Sequence, residues 1–219
     1  LASPLRDVYK RQHHVYAGDE LAILFAKRLH AQGITPFVIG EVKCSQVMYN
    51  TINTFGKTLM YKTGHSNLKI KLKETHAHFA AEMSGHIFFK ERYFGYDDAL
   101  YACLRALELL LEQTPSDLEN TIKNLPYSYT TPEEKIAVSE EEKFEIIHNL
   151  QETLKNPPSH FPKIKEIISI DGVRVVFEHG FGLIRASNTT PYLVSRFEGK
   201  DETTALEYKR ALLNLLEKL

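Results

Sequence analysis

Glu82, Ser84 and His86 alternate along residues 81–86 (AEMSGH). In an extended chain, side chains two apart share a face. The segment would therefore present a carboxylate, a hydroxyl and an imidazole together, with Gly85 permitting close approach. That set suits sugar hydroxyls, each of which donates and accepts hydrogen bonds. His86 is also of the type that moves a proton near neutral pH. The same spacing equally fits a polar turn between two strands.

Two further segments carry chemistry. Residues 62–66 (KTGHS) stand between an expected strand and an expected helix. Gly64 permits an unusual backbone angle there, Ser66 is a capping type, and His65 would line the strand-to-helix mouth where α/β sheets place ligand contacts. Lys43 follows another expected strand in the same way. Each of these also reads as ordinary surface polarity. Residues 185–191 (RASNTTP) combine one fixed positive charge, Arg185, with the neutral donors Ser187, Asn188 and Thr189. A phosphate wants both, and an arginine can hold it through two parallel hydrogen bonds; the alternative is a polar hairpin loop closed by Pro191. His76-x-His78 has metal-ligand spacing but no carboxylate or Cys partner nearby in sequence, so it reads as a solvated strand edge. Residues 88–92 (FFKER) are too short for nucleic-acid binding. Residues 94–98 (FGYDD) read as a turn and helix cap.

These segments need elements to position them. Asp19 is placed to cap a helix to about His30, with Leu21, Leu24, Phe25 and Leu29 on one face. Strands are expected at 36–40, 58–61, 79–82 and 86–89, and helices at 45–55, 67–74 and from Asp97 and Asp98 to about 111. Leu100, Leu104, Leu107 and Leu111 form the apolar stripe of the last of these. Alternating strands and helices argue for an α/β layer fold. Residues 113–132 hold Pro115, Pro126 and Pro132 and read as a partly helical linker, crossing a boundary near Pro126. Beyond it, strands are expected at 135–139, 164–170, 173–178, 183–186 and 192–197. Asp171-Gly172 joins two of them as a hairpin turn. Helices follow the first strand (140–154, with Phe144, Ile147 and Leu150 inward) and close the chain (201–219, with Leu206, Leu213 and Leu216 inward). The expected architecture is α/β: a three-layer α/β domain over residues 13–125, with the linker from about 113, then a smaller α+β domain over 126–219 with an antiparallel sheet (βαβββα).

Composition excludes some classes. The 219 residues carry a net charge of -1, so no basic field points to nucleic acid or an anionic membrane. No apolar run reaches the roughly 18–20 residues of a membrane span, and the cytoplasm is the expected location. Cys44 and Cys103 lack C-x-x-C spacing and read as two reduced thiols. Residues 1–12 lack an initiator Met, and residues 7–12 (DVYKRQ) are what GAT-GTG-TAT-AAG-AGA-CAG would encode, a transposon end used to fragment DNA for sequencing. They are expected to be a non-native, adapter-derived stretch.

Residues 40–45 (GEVKCS), 62–66, 82–86, 88–92, 94–98 and 185–191 stand in the order found in bacterial phosphomannomutase/phosphoglucomutases. From about His14 onward the chain resembles the third and fourth of that family's four domains, which surround a deep cleft. The resemblance implies that Glu82, Ser84 and His86 bind sugar hydroxyls, with Lys43 and His65 lining the cleft. It implies that Arg185, Ser187, Asn188 and Thr189 clasp the non-reacting phosphate. His86, and with it Lys43, are candidate catalytic residues, His86 for proton transfer. The implied partners are mannose and glucose 1- and 6-phosphates and the hexose 1,6-bisphosphate; the implied cofactor is Mg2+. The family's phosphoserine and its Asp-Gly-Asp-x-Asp-Arg metal loop match nothing in this chain, so no metal ligand is expected here and the chain alone is expected to be inactive. Met83 stands where phosphoglucosamine mutases usually carry Gln, which favours mannose and glucose phosphates. A phosphoglucosamine mutase fragment, a non-catalytic phosphosugar-binding module and the product of a broken gene are the alternatives.

Overall fold

The computed structural model describes residues 15–219; the adapter-like stretch lies outside them. The chain divides into two compact units. One holds residues 64–125 and the described residues up to Met60; the other holds Pro126–Leu219 together with Tyr61–Thr63.

The first unit runs α1 (Gly18–Ala31), β1 (Phe37–Glu41), α2 (Gln46–Ile52), β2 (Lys57–Tyr61), α3 (His65–Thr75), β3 (Phe79–Ala81), β4 (Ile87–Phe89), α4 (Ala99–Glu112) and α5 (Pro115–Lys123). Its sheet has the order β2-β1-β3-β4. β1 and β3 are parallel, and β3 and β4 antiparallel. β1, β3 and β4 are buried on both faces, as short apolar runs in a layered fold require, while the edge strand β2 stays partly exposed. Val38, Phe79, Ala81 and Phe89 pack with Ile23, Leu24, Phe25 and Leu29 of α1. Ile39, Ala80 and Phe88 alternate with them and are also fully buried, on the side where α3 buries Leu68 and Leu72. This is the three-layer arrangement.

Three local expectations are corrected. Asp19 does not cap α1: the N-cap is Ala17, whose N–H donates to Glu20 Oε2 at 2.9 Å. Asp19 instead accepts the N–H of Ser45 at 2.8 Å and ties α1 to the start of α2. His78 is not a solvated edge: it is half-buried, and its Nδ1 accepts the N–H of Phe37 at 2.9 Å. The leucine stripe of α4 is on the wrong side: Leu100, Leu104, Leu107 and Leu111 are 81, 59, 53 and 87% exposed. The helix instead turns Tyr101, Ala102, Arg105, Ala106 and Leu109 inward. Arg105 tolerates burial because its charge is met on two sides. Nη1 lies 2.7 Å from Glu91, Nε lies 3.1 Å from Glu108, and the guanidinium sits 4.6 Å from the centre of the Phe89 ring. Arg28 of α1 extends the network, binding Glu112 through Nε and Nη2 (2.9 and 2.7 Å) and Glu108 through Nη1 (2.9 Å). At the other end of α4, Asp98 accepts the N–H of Tyr101. Tyr93 donates to the same carboxyl, and these bonds hold it below its ordinary range.

α5 lies in the stretch read as a linker. It opens with a reciprocal cap between Thr114 and Asp117 and buries Leu118 and Ile122 against the first core.

The second unit runs β5 (Tyr129–Thr130), β6 (Glu134–Ala137), α6 (Lys143–Thr153), β7 (Glu166–Ile168), β8 (Val173–Phe177), β9 (Gly180–Ala186), β10 (Tyr192–Gly199) and α7 (Glu202–Leu216). The sheet order is β5-β10-β9-β8-β7, with β6 also on β10, and every pairing is antiparallel. Four strands separate its two helices. α7 packs on β9 and β10, and α6 on β8 and β9. Two inward assignments shift. Phe144 is 59% exposed, while Ile147 and Leu150 are buried. In α7 the fully buried residues are Ala205, Tyr208, Leu212 and Leu215; the expected Leu213 and Leu216 pack partly buried against the same core, and Leu206 is 40% exposed.

Cys44 is buried and Cys103 exposed, and neither is in a disulfide. Among the described residues no helix is long and apolar enough to cross a membrane.

Candidate functional site

The link from β3 to β4 is a tight turn rather than continuous strand. The N–H of Glu82 donates to the His86 carbonyl at 2.9 Å, and that of Gly85 to the Glu82 carbonyl at 3.0 Å, with Gly85 at φ 98°. Side-chain alternation therefore does not hold across it, yet two of the three groups still meet. Ser84 Oγ donates to Glu82 Oε2 at 3.2 Å. Glu82 Oε1 accepts the N–H of Gly64 at 3.2 Å, which brings the 62–66 loop to the same carboxylate. His86 turns away: its Nδ1 lies 3.0 Å from Asp97 Oδ2, with the ring largely in solvent. A carboxylate beside Nδ1 favours the tautomer that carries its proton on that nitrogen.

The turn rests on α1. The N–H of Gly18 donates to the Met83 carbonyl at 3.1 Å. A Cβ on Gly18 would lie 1.9 Å from the Glu82 oxygen and 2.8 Å from the Gly85 nitrogen, so only glycine fits. Beneath it, the fully buried Glu41 accepts the N–H of Met83 at 3.0 Å, and Lys43 Nζ lies 3.6 Å from the same oxygen. Lys43 thus reaches the turn through Glu41, with its side chain mostly covered. Met83 packs against the core. His65 opens α3 on the surface, 3.4 Å from Ser66 Oγ. Gly64 is the N-cap residue of that helix, so Ser66 does not cap it.

In the second unit, Arg185 is the penultimate residue of β9 and is 5% exposed. Its Nε donates to Asp171 Oδ2 at 3.0 Å. Its Nη2 is buried, with no acceptor among the described residues. A buried guanidinium nitrogen without an acceptor is costly unless another molecule supplies one. The loop that follows is shaped by Ser187, whose Oγ accepts the N–H groups of Thr189 (3.3 Å) and Thr190 (3.2 Å) and the Thr190 hydroxyl (2.8 Å). Ser187 still has its own hydroxyl hydrogen to donate. Asn188 and Thr189 are exposed at the tip.

Sequence reasoning gave no site role to Gly18, Glu41, Asp97 or Asp171. Three are acidic residues that support or aim another group, and no spacing signals a partner 11 to 42 residues away. Gly18 had a signal that went unused: a glycine where a helix begins.

The described chain is thus an α/β/α layer followed by an antiparallel-sheet unit, each with one polar turn supported from beneath. Residues 17–129 match the family model described as phosphoglucomutase/phosphomannomutase, alpha/beta/alpha domain III, and residues 133–215 match the family's C-terminal domain. The chain belongs to the phosphoglucomutase/phosphomannomutase family. It is 42% identical over 200 residues to the phosphomannomutase/phosphoglucomutase of Pseudomonas aeruginosa, covering 91% of this chain and 42% of that one. It is 43% identical over 203 residues to a phosphoglucomutase of Neisseria meningitidis, with the same coverage. The crystal structure of a family protein from Burkholderia thailandensis superposes with a TM-score of 0.79 at 37% identity, covering 91% of this chain and 41% of that one. The chain spans about two fifths of the length of the curated relatives it matches.

Proposed function

We propose that this chain is the sugar- and phosphate-recognising part of a phosphohexose mutase. The whole protein interconverts hexose 1-phosphate and hexose 6-phosphate, of mannose or glucose, through a phosphoserine and a hexose 1,6-bisphosphate. Residues 13–125 hold the sugar and residues 126–219 hold the phosphate that is not reacting. The carrying observation is Arg185, buried, aimed by one carboxylate and left with an unmatched Nη2 at the root of a donor-rich loop.

Glu82 accepts from sugar hydroxyls, and Ser84 donates or accepts beside it. His86 offers Nε2 for hydrogen bonding or proton transfer, with Asp97 fixing the ring. Lys43 and His65 contribute charge and hydrogen bonding around the turn. Arg185 meets a phosphate with charge and directed N–H groups, and Ser187, Asn188 and Thr189 add neutral donors. The cofactor is Mg2+, which supplies charge neutralisation during phosphoryl transfer. The described residues do not fit it: no group of three or more His, Cys, Asp or Glu among them is placed to hold a metal.

Titration with glucose 1-phosphate and mannose 1-phosphate, followed by amide NMR, tests this reading. Shifts should gather at residues 82–86 and 185–190, and Arg185→Ala should remove the second group. In a whole enzyme of this kind, losing such a charged contact costs on the order of 2–5 kcal/mol. The chain alone should show no turnover in a coupled mutase assay. Turnover that survives purification, or an Arg185→Ala protein that binds as before, refutes the assignment.

A further inference from the structure

The Asp171-Gly172 pair reads in sequence as a hairpin turn and nothing more. In the structure it lies against the base of the phosphate loop. β8 and β9 pair Val173 with Ile184, which sets Gly172 beside Arg185. The approach is close: a Cβ on Gly172 would fall 2.4 Å from the Ile184 oxygen and 2.5 Å from both Cα and Cβ of Arg185. Gly172 also has φ +77°, the left-handed region that favours glycine. The turn is fastened from the helix side, where Gln151 Nε2 of α6 donates to the Gly172 carbonyl at 3.1 Å. Asp171 is thereby carried to Arg185 Nε at 3.0 Å, with both side chains mostly covered, at 12 and 6% exposure.

A guanidinium is planar, so fixing the direction of Nε–H fixes the plane of the whole group. Asp171 takes that one donor. The terminal nitrogens remain, and Nη2 has no acceptor. We propose that Asp171 is a positioning residue for phosphate recognition: it sets the plane of Arg185 and leaves the Nη edge for a phosphate. Gly172 and Gln151 hold the turn that makes this possible. The inference rests on the reading of Arg185 as a phosphate contact.

Its sign separates it from simple electrostatics. Asp171 is an anion near an anion site, so charge alone predicts tighter phosphate binding when it is removed. Positioning predicts the reverse. The test titrates inorganic phosphate into this chain, read by NMR, for the wild type, Asp171→Ala, Asp171→Asn, Arg185→Ala and the Asp171→Ala/Arg185→Ala double variant. Asp171→Ala should weaken binding by about tenfold, the scale of one hydrogen bond to a charged group. Asp171→Asn, which keeps an acceptor oxygen, should recover part of that. In the Arg185→Ala background the Asp171 change should have no further effect. The Arg185 Nε–H resonance should exchange faster with water in Asp171→Ala, a readout that global stability does not move. If Asp171→Ala does not fold, the isosteric Asp171→Asn carries the comparison. Unchanged or tighter binding in both Asp171 variants, with Arg185→Ala inert, overturns the positioning role alone. Wild-type and Arg185→Ala proteins that respond alike overturn the phosphate assignment beneath it.

Discussion

Substituting Gly18 by Ala tests the coupling between α1 and the sugar turn. The new Cβ would stand 1.9 Å from the Glu82 carbonyl oxygen and 2.8 Å from the Gly85 nitrogen. Ordinary contact begins near 3.4 Å, so α1 and the turn must separate by about 1.5 Å. Both neighbours are backbone, so no flexible side-chain end can absorb the movement. The Gly18 N–H to Met83 bond, now 3.1 Å, would stretch beyond hydrogen-bond range. Overpacking of this kind costs about 1–3 kcal/mol. At 2 kcal/mol the first unit should melt about 9 °C lower. Function should suffer more, because a displacement of about 1 Å at a binding constellation can cost on the order of a hundredfold. Thermal unfolding and a glucose 1-phosphate titration of the chain measure the two effects. A melting temperature and sugar affinity both equal to wild type would refute the claim that α1 supports the turn.

Leu150→Ala in α6 should cost about 2–5 kcal/mol in urea unfolding of the second unit, whereas Phe144→Ala, on the same helix but exposed, should stay within about 0.5 kcal/mol. Arg28→Ala should flatten the acid limb of stability. Its hydrogen bond holds the Glu112 carboxyl below the usual range. For Glu108, burial pushes upward, but the Arg92 hydrogen bond and the charges of Arg28, Arg92 and Arg105 outweigh it. Both folded values lie below the unfolded one. Their stabilisation is therefore present above the ordinary carboxylate range and is lost as pH falls through the folded values. Denaturation at pH 7 and pH 3 should show the wild-type advantage shrinking at the lower pH; an advantage that is constant with pH would exclude the network as its source. Glu82→Gln should reduce discrimination among hexose phosphates, and equal responses before and after would remove it from sugar recognition.

Much of this was legible in the sequence, for physical reasons that also explain the misses. Buried strands such as 37–41 and 79–81 are short apolar runs between turn residues, and they stand out. The 82–86 and 185–191 segments were visible because unusual polar types cluster in them. Periodicity failed at α4 because it counts leucines and treats Arg105 as polar. Burial there was decided by Glu91, Glu108 and the face of Phe89, none of which a one-helix pattern contains. The misplaced Leu206 in α7 has a similar origin, since Ala205 and Tyr208 are weaker apolar signals than Leu206. The aiming groups Asp97 and Asp171 lie far in sequence from the side chains they orient. Only the sheet register brings Asp171 to Arg185.

The inversion of α4 gives this helix an unusual response to salt. Part of its attachment to the first unit is ionic, through Arg28, Arg105 and Arg92, while its outer side is a leucine surface in water. At 1 M salt the screening length falls to about 3 Å, and the more exposed pairs, such as Arg28 with Glu112, lose strength. Salts such as sulfate meanwhile drive apolar surfaces together. Raising sodium chloride, which screens charge with little effect on apolar burial, should therefore loosen α4 on its own unit, seen as faster amide exchange along residues 99–112. Sulfate should instead promote self-association through Leu100, Leu104, Leu107 and Leu111, which Leu104→Glu would suppress. A solution kept at low ionic strength is where this chain should be both firmest and most dispersed.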